Sequence, residues 1–318
     1  MPAIFLALAA AIGFGCSDYT AGRAARRTTM AVSVAVTAEL TKAVLVISVV
    51  PFVSSMVLTV PSLAWGAVAG ISGGAGEMAL YLAFRRAAFS VASSVSAVGA
   101  AALPVLAGFL LGERPNAFSL AGIALTLPAI VIVTSGPARA DESRNSESDA
   151  ASSARGRTGA RDSAVDRPTE SPRPEIVDRQ VAGVVWGLAA GAGFGLSLIG
   201  LNRAGTRTDL WPLAVAELAA VVTIAGTAAV IGELKPPPVG TRRLSVLTGI
   251  LGSLGIFSFF LATHQGLLAI TAVIYSLYPA VTILLARMLS GERLTGFRVA
   301  GLCLAAVSVS LIAVGASG

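Results

Sequence analysis

The chain has 318 residues, of which 55% are hydrophobic and 13% charged, with a mean hydropathy of +0.79 and a net charge of +6. An ordinary soluble domain carries about 25% charged residues, so this composition excludes that class and reads as a membrane protein. The positive balance then concerns membrane topology rather than a nucleic-acid partner, and 34 glycines with 6% aromatic residues suit helices packed closely through small side chains.

A helix crosses the hydrocarbon core with about 20 apolar residues. Runs of that length, broken by Gly, Pro or charge, predict ten transmembrane helices at 3–19, 31–53, 63–84, 89–111, 118–133, 181–201, 213–231, 245–262, 268–289 and 297–313. The runs are continuous and lack the period-two alternation of an outer-membrane barrel. No Lys or Arg precedes the first run, which argues against a secretory signal. Ser17 and Asp18 are expected to close that helix as a polar end. In the second helix Glu39 and Lys42, three residues apart, are placed to pair locally.

The third helix carries Glu77 on the same face as Gly66, Gly70 and Gly73, with Tyr81 one turn beyond and no cation within a turn. An ionisable group at this depth is costly unless it meets a partner or a wet cavity, so Glu77 is the leading candidate for binding a substrate cation or a coupling proton. The alternative is a protonated Glu77 hydrogen-bonded across a glycine-lined helix contact. Pro104 and Pro279 are expected to interrupt the fourth and ninth helices, each freeing a backbone carbonyl at membrane depth. Beside them stand Ser93, Ser94 and Ser96 in one helix and Tyr275 and Tyr278 in the other. Of these, Ser94, Tyr275 and Tyr278 join Glu77, Glu39, Lys42, Glu217 and Tyr81 as candidate substrate- or ion-binding residues. Glu217 lies near the start of the seventh helix, where it is expected to reach the interface. Glu113 and Glu292 precede the fifth and tenth helices and read as caps on their N-termini. Arg114 and Arg293 read as interfacial anchors. His264, the single histidine, reads as an interfacial polar group near the exit of the eighth helix. Cys16 and Cys303 fall in apolar runs and suggest neither a disulfide nor a metal site; no cofactor is expected.

The chain repeats itself. "AAAIGFGCS" at 9–17 returns as "AAGAGFGLS" at 189–197, and "AVTAEL" at 35–40 as "AVAEL" at 214–218, which aligns Glu39 with Glu217. Gly70, Gly73 and Gly76 recur as Gly249, Gly252 and Gly255, whereas Glu77 falls on Ile256. "LGERPNAFSLAG" at 111–122 returns as "SGERLTGFRVAG" at 290–301. The offset stays at 178 to 180 residues, so residues 1–135 and 181–318 read as two copies of one five-helix unit. Because five is odd, the second copy inserts upside down, the inverted-repeat plan of many secondary transporters. Residues 136–180 hold no apolar run and read as a disordered polar linker.

The segments "LPVLAGFLLGERP", "SLYPAVTILLARMLSGERL" and "WPLAVAELA", with the paired five-helix halves, resemble the EamA-type branch of the drug/metabolite transporter superfamily. The resemblance covers nearly all of the chain except the linker. It implies a ten-helix carrier of small organic solutes, often an exporter of amino acids or metabolites, working without ATP. The chain departs from the family where many members carry a basic or neutral polar residue in place of Glu39 and Glu217.

These readings predict a secondary transporter of small organic metabolites in the plasma or inner membrane, an exporter by family resemblance, working by alternating access with protons as the candidate coupling ion. Two other classes compete. One is a non-transporting scaffold or receptor. The other is an intramembrane serine hydrolase, since "GISGG" at 70–74 matches Gly-x-Ser-x-Gly and His264 is the one base to pair with Ser72. Outside the linker, Arg and Lys concentrate at the odd-numbered connections, which predicts termini outside and a cytoplasmic linker.

Overall fold

The computed structural model describes residues 2–25, 27–28, 31–54, 59–86, 89–134, 174–205, 209–290 and 295–315; at 81, 83–86, 89–94, 174–180 and 290 it describes the backbone alone. These residues form eleven helices and no sheet: α1 (Pro2–Ala25), α2 (Ala31–Val53), α3 (Val60–Arg86), α4 (Phe89–Leu110), α5 (Ala117–Thr134), α6 (Pro174–Arg203), α7 (Trp211–Val230), α8 (Val239–Thr263), α9 (Leu268–Tyr275), α10 (Tyr278–Ser290) and α11 (Gly296–Gly315). Taking α9 and α10 as one crossing, eight described segments are long and apolar enough to span a membrane, and Val95–Leu110 of α4 is a shorter apolar stretch. In α3 five glycines and Glu77 dilute the apolar content. The architecture is that of an all-α, multi-pass membrane protein.

Lipid offers no hydrogen bonds, so each crossing satisfies its backbone within its own helix. Hydroxyls inside the helices do the same by donating one turn back, as Thr37 does to Ser33 O, Thr126 to Gly122 O and Thr223 to Ala219 O. Two helix ends are closed by a left-handed glycine. Gly112, at φ 89°, lets Glu113 N–H reach Gly108 O at 2.9 Å, and Gly232, at φ 73°, does the same for Glu233 and Ala228 O at 2.8 Å.

Packing falls almost entirely between the halves, and each contact is drawn twice. Helix α1 lies on α8 as α6 lies on α3; α2 lies on α8 as α7 lies on α3; the self-matched pairs are α2 with α7, α4 with α9, and α5 with α11. Repeat-equivalent glycines make these approaches possible. A Cβ on Gly70 would overlap the carbonyl of Ala216, and one on Gly249 that of Ala38, its repeat counterpart. Gly76 fits against Ala190 and Phe194, and Gly255 against Phe14. The recurring Ala-Gly of the two similar strings has the same cause: Gly122 of α5 meets Ser308 and Ile312 of α11, while Gly301 of α11 meets Ile132 and Val133 of α5. Beside these close approaches Phe259, Phe260 and Leu213 are fully buried, while other large apolar side chains turn outward. Leu40 and Val44 of α2 and their counterparts Leu218 and Val222 of α7 are exposed, which is the orientation a lipid-facing stripe requires.

Several sequence expectations need correction. Helix α1 runs to Ala25, so Ser17 and Asp18 lie inside it rather than at its end; six more residues keep helical contact with α8, where Thr20 Oγ1 meets Thr248 Oγ1 at 2.9 Å. Helix α6 begins at Pro174, inside the segment read as linker, and residues 135–173 lie outside the described residues. The ninth crossing is interrupted as Pro279 predicts: Ser276 and Leu277 form a turn between α9 and α10, and Pro279 has no N–H to offer the carbonyl of Tyr275. Pro104 does not interrupt α4, which continues through it from Phe89 to Leu110, held between α6 and α9.

Candidate functional site

Away from their ends, the described spanning helices carry five charged side chains: Asp18 on α1, Glu39 and Lys42 on α2, Glu77 on α3 and Glu217 on α7. They come from four helices of both halves and gather at one place. Lys42 Nζ lies 2.9 Å from Glu39 Oε2 and 3.4 Å from Glu217 Oε2. The local Glu39–Lys42 pair is therefore present, and the same ammonium also joins the two repeat-equivalent glutamates across the α2–α7 contact. Glu217 does not reach the interface. Its neighbour Leu218 faces outward, so the helical turn of about 100° per residue carries Glu217 inward, where it is 3% exposed between α2 and α3.

Glu77 faces the same group, within electrostatic reach of Glu39, Lys42, Asp18 and Glu217. The glycine face predicted for α3 is real. Gly66 and Gly70 fit against Pro212 and Ala216 of α7, and Gly73 against Ser197 Oγ of α6, which brings Glu77 one turn further into the contact between the halves. Among the described residues no hydrogen-bond donor meets the Glu77 carboxylate. Asp18 keeps accessible surface on the inner side of α1 and lies in the field of Tyr275 and Tyr278. Those two tyrosines flank the α9–α10 break and form an aromatic wall with α1 and α8: Tyr275 stacks edge-on with Phe14 at 5.1 Å, meets Phe259 at 5.1 Å and Tyr278 at 5.6 Å between ring centres.

The structure thus gathers Glu39, Lys42, Glu77, Glu217, Tyr275 and Tyr278, and adds Asp18, which sequence reasoning had assigned to a helix end. The side chains of Tyr81 and Ser94 lie outside the described residues. The signal for Asp18 is in the repeat: its counterpart is Leu198, as the counterpart of Lys42 is Ala220 and that of Glu77 is Ile256. All three departures put charge in the first half and an apolar side chain in the second.

The remaining candidates are occupied elsewhere. Glu113 is a cap, but of a different helix from the one expected: Oε1 and Oε2 accept from Leu268 N–H at 2.5 Å and Ala269 N–H at 2.9 Å, at the start of α9 in the other half. The turn at Gly112 aims the carboxylate back over Gly108, where any side chain would collide with it. Helix α5 is capped instead by Asn116, whose Oδ1 accepts from Ser119 N–H at 2.9 Å. Glu292 and Arg293 lie outside the described residues. Arg114 is exposed and donates to the carbonyls of Phe109 and Glu113. His264 follows the last residue of α8, and its Nδ1 lies 2.8 Å from Phe260 O. Ser72 donates to Val68 O at 2.7 Å, within its own helix, an arrangement that does not prepare a nucleophile. No three potential ligands among His, Cys, Asp and Glu of the described residues are grouped as a metal site.

No curated protein matches this chain. One solved crystal structure superposes on it with a TM-score of 0.64 at 20% sequence identity, covering 97% of this chain and 95% of that chain, and so shares its fold. The model of the EamA-like transporter family, part of the drug/metabolite transporter superfamily, matches residues 181–314, from the crossing part of α6 into the last turn of α11.

Proposed function

We propose that the chain is a secondary carrier that exports a small organic solute by alternating access, with the group around Lys42 as its binding site. The observation that carries this reading is a set of five charges, Glu39 and Glu217 buried and Asp18, Lys42 and Glu77 keeping accessible surface, at the contact between two halves that pack on each other almost entirely through reciprocal interfaces. Charge placed in the middle of a membrane is costly and marks a solute or ion path by default. Contacts built from small residues let one half rock against the other around such a site, and the α9–α10 break beside it supplies the discontinuous helix that carriers place at their sites. The domain reading of two five-helix units, 1–135 and 181–318, joined by residues 136–180 belongs to the same proposal.

Flux through purified protein in liposomes, using a mixed panel of cationic, neutral, zwitterionic and anionic metabolites, tests it. Comparing metabolites in cells that lack and overproduce the protein supplies the panel. Saturable movement of any member supports a carrier; none moving, with correct insertion, favours the scaffold or receptor. The Arg and Lys residues gathered at the odd-numbered connections support a cytoplasmic linker and outside termini, which an alkaline phosphatase fusion at residue 318 reports by its activity.

A further inference from the structure

The five central charges do not balance. Four are carboxylates and one is an ammonium, and that ammonium is already shared by Glu39 and Glu217. The surrounding helices bring no further charge: α8 offers Thr248 and Gly252, α6 offers Ser197, and their arginines stand at the helix ends. Even Glu217 is incompletely served, since its Oε2 is buried without a hydrogen-bond donor and Lys42 approaches no nearer than 3.4 Å. Among the described residues, Asp18 and Glu77 have no cation of their own. A carboxylate held at membrane depth needs a counter-charge, a proton or a wet cavity.

The aromatic wall separates the first two possibilities. A proton requires no enclosure. Phe14 lies one turn from Asp18 on α1, Tyr275 meets Phe14 edge-on and Tyr278 lies against Tyr275, so an aromatic group stands beside the carboxylate. Ring faces next to an anion attract a cation with an apolar body, through cation–π contact and desolvation together.

Resting on the carrier reading above, we propose that the solute is a small organic monocation, its ammonium or guanidinium held by Asp18 and Glu77 and its body against Phe14, Tyr275 and Tyr278. The asymmetry of the repeat agrees with this. The scaffold is written twice, but Asp18, Lys42 and Glu77 occur once each, as befits a single bound charge rather than two equivalent ones.

The test uses the full chain in liposomes with phenyltrimethylammonium, a permanently charged probe that cannot leak as a free base. Saturable uptake and binding are expected, competed by phenethylammonium but not by benzoate or benzyl alcohol. Asp18→Asn and Glu77→Gln are each expected to weaken binding about tenfold or more at wild-type membrane abundance, while Ser72→Ala binds as wild type. If a carboxamide variant inserts poorly, Tyr278→Leu, which removes a ring and no charge, carries the same expectation. Wild-type affinity in the well-inserted variants overturns the proposal. So does proton uptake with no cation binding, or movement of neutral or anionic solutes alone, which leaves the carrier reading standing. If nothing in the metabolite panel moves, the carrier reading falls and this proposal with it.

Discussion

Removing the Lys42 ammonium tests the structure at its centre. Lys42→Met keeps the length of the side chain and strips the charge, leaving Glu39 and Glu217, each almost fully buried, without their shared partner. Removing one member of a buried ion pair costs ~3–5 kcal/mol, because the remaining charge is left desolvated. Here two carboxylates are orphaned by one change, at 2.9 and 3.4 Å, so the loss belongs at the upper end, about 5 kcal/mol, unless the carboxylates take up protons. Two consequences distinguish this from a packing defect. Lowering the pH protonates the orphaned carboxylates, so the gap between variant and wild type should narrow as the pH falls. Adding Glu39→Gln and Glu217→Gln to Lys42→Met removes the unpaired charge and should restore most of the lost stability. Thermal unfolding in mild detergent, followed by tryptophan fluorescence across pH, reads both. A triple variant no more stable than Lys42→Met, or a single variant as stable as wild type, refutes the central ion pair.

The other predictions concern the frame around the site. Glu113→Gln removes a charged acceptor from two N–H groups at the start of α9, which should cost about 1.5–3 kcal/mol per bond and speed hydrogen exchange at Leu268 and Ala269; unchanged exchange there argues against the cap. Gly70→Val drives a side chain into the carbonyl of Ala216 and should abolish monodisperse folded protein, whereas Gly226→Ala, which meets nothing within 4 Å, should behave as wild type in size-exclusion chromatography. Asp209, beyond the membrane span, accepts from Trp211 N–H at 3.3 Å, yet burial raises its carboxyl above the usual range. A raised acid contributes stability that is present at low pH and lost as pH rises through the folded value, so the advantage of wild type over Asp209→Asn should shrink from pH 4 toward neutrality. Replacing residues 141–173 with a shorter Gly/Ser segment should leave insertion and flux near wild type, since that sequence has nothing to bury; lost flux at normal abundance would show that the segment carries regulation.

What was legible beforehand follows from which physical constraint the sequence expresses directly. Helix extents were readable because hydrocarbon thickness and polar ends set them: 31–53 agrees at both ends, and most others fall within a few residues. The match of Gly70 to Gly249 also carried the packing plan, since a glycine retained in both copies marks an approach made twice. Direction was harder to see. A repeat states that Glu39 and Glu217 are equivalent, but not that they face each other, because that depends on how the halves dock; hence Glu217 was sent toward the interface. The target of Glu113 was missed for the same reason. Its carboxylate precedes α5 in sequence, but the helix start it satisfies lies 155 residues away, and only the turn at Gly112 decides between them. Asp18 was hidden by a different effect: two consecutive polar residues, Ser17 and Asp18, imitate a helix end when read alone. Read against the second copy they do not, because Ser17 meets Ser197 while Asp18 meets Leu198, inside a stretch that stays helical in both. In a duplicated membrane fold the shared residues build the scaffold. Positions where a charge in one copy answers an apolar residue in the other cannot be explained by that scaffold. Asp18, Lys42 and Glu77 are such positions, and the structure brings all three to the same place.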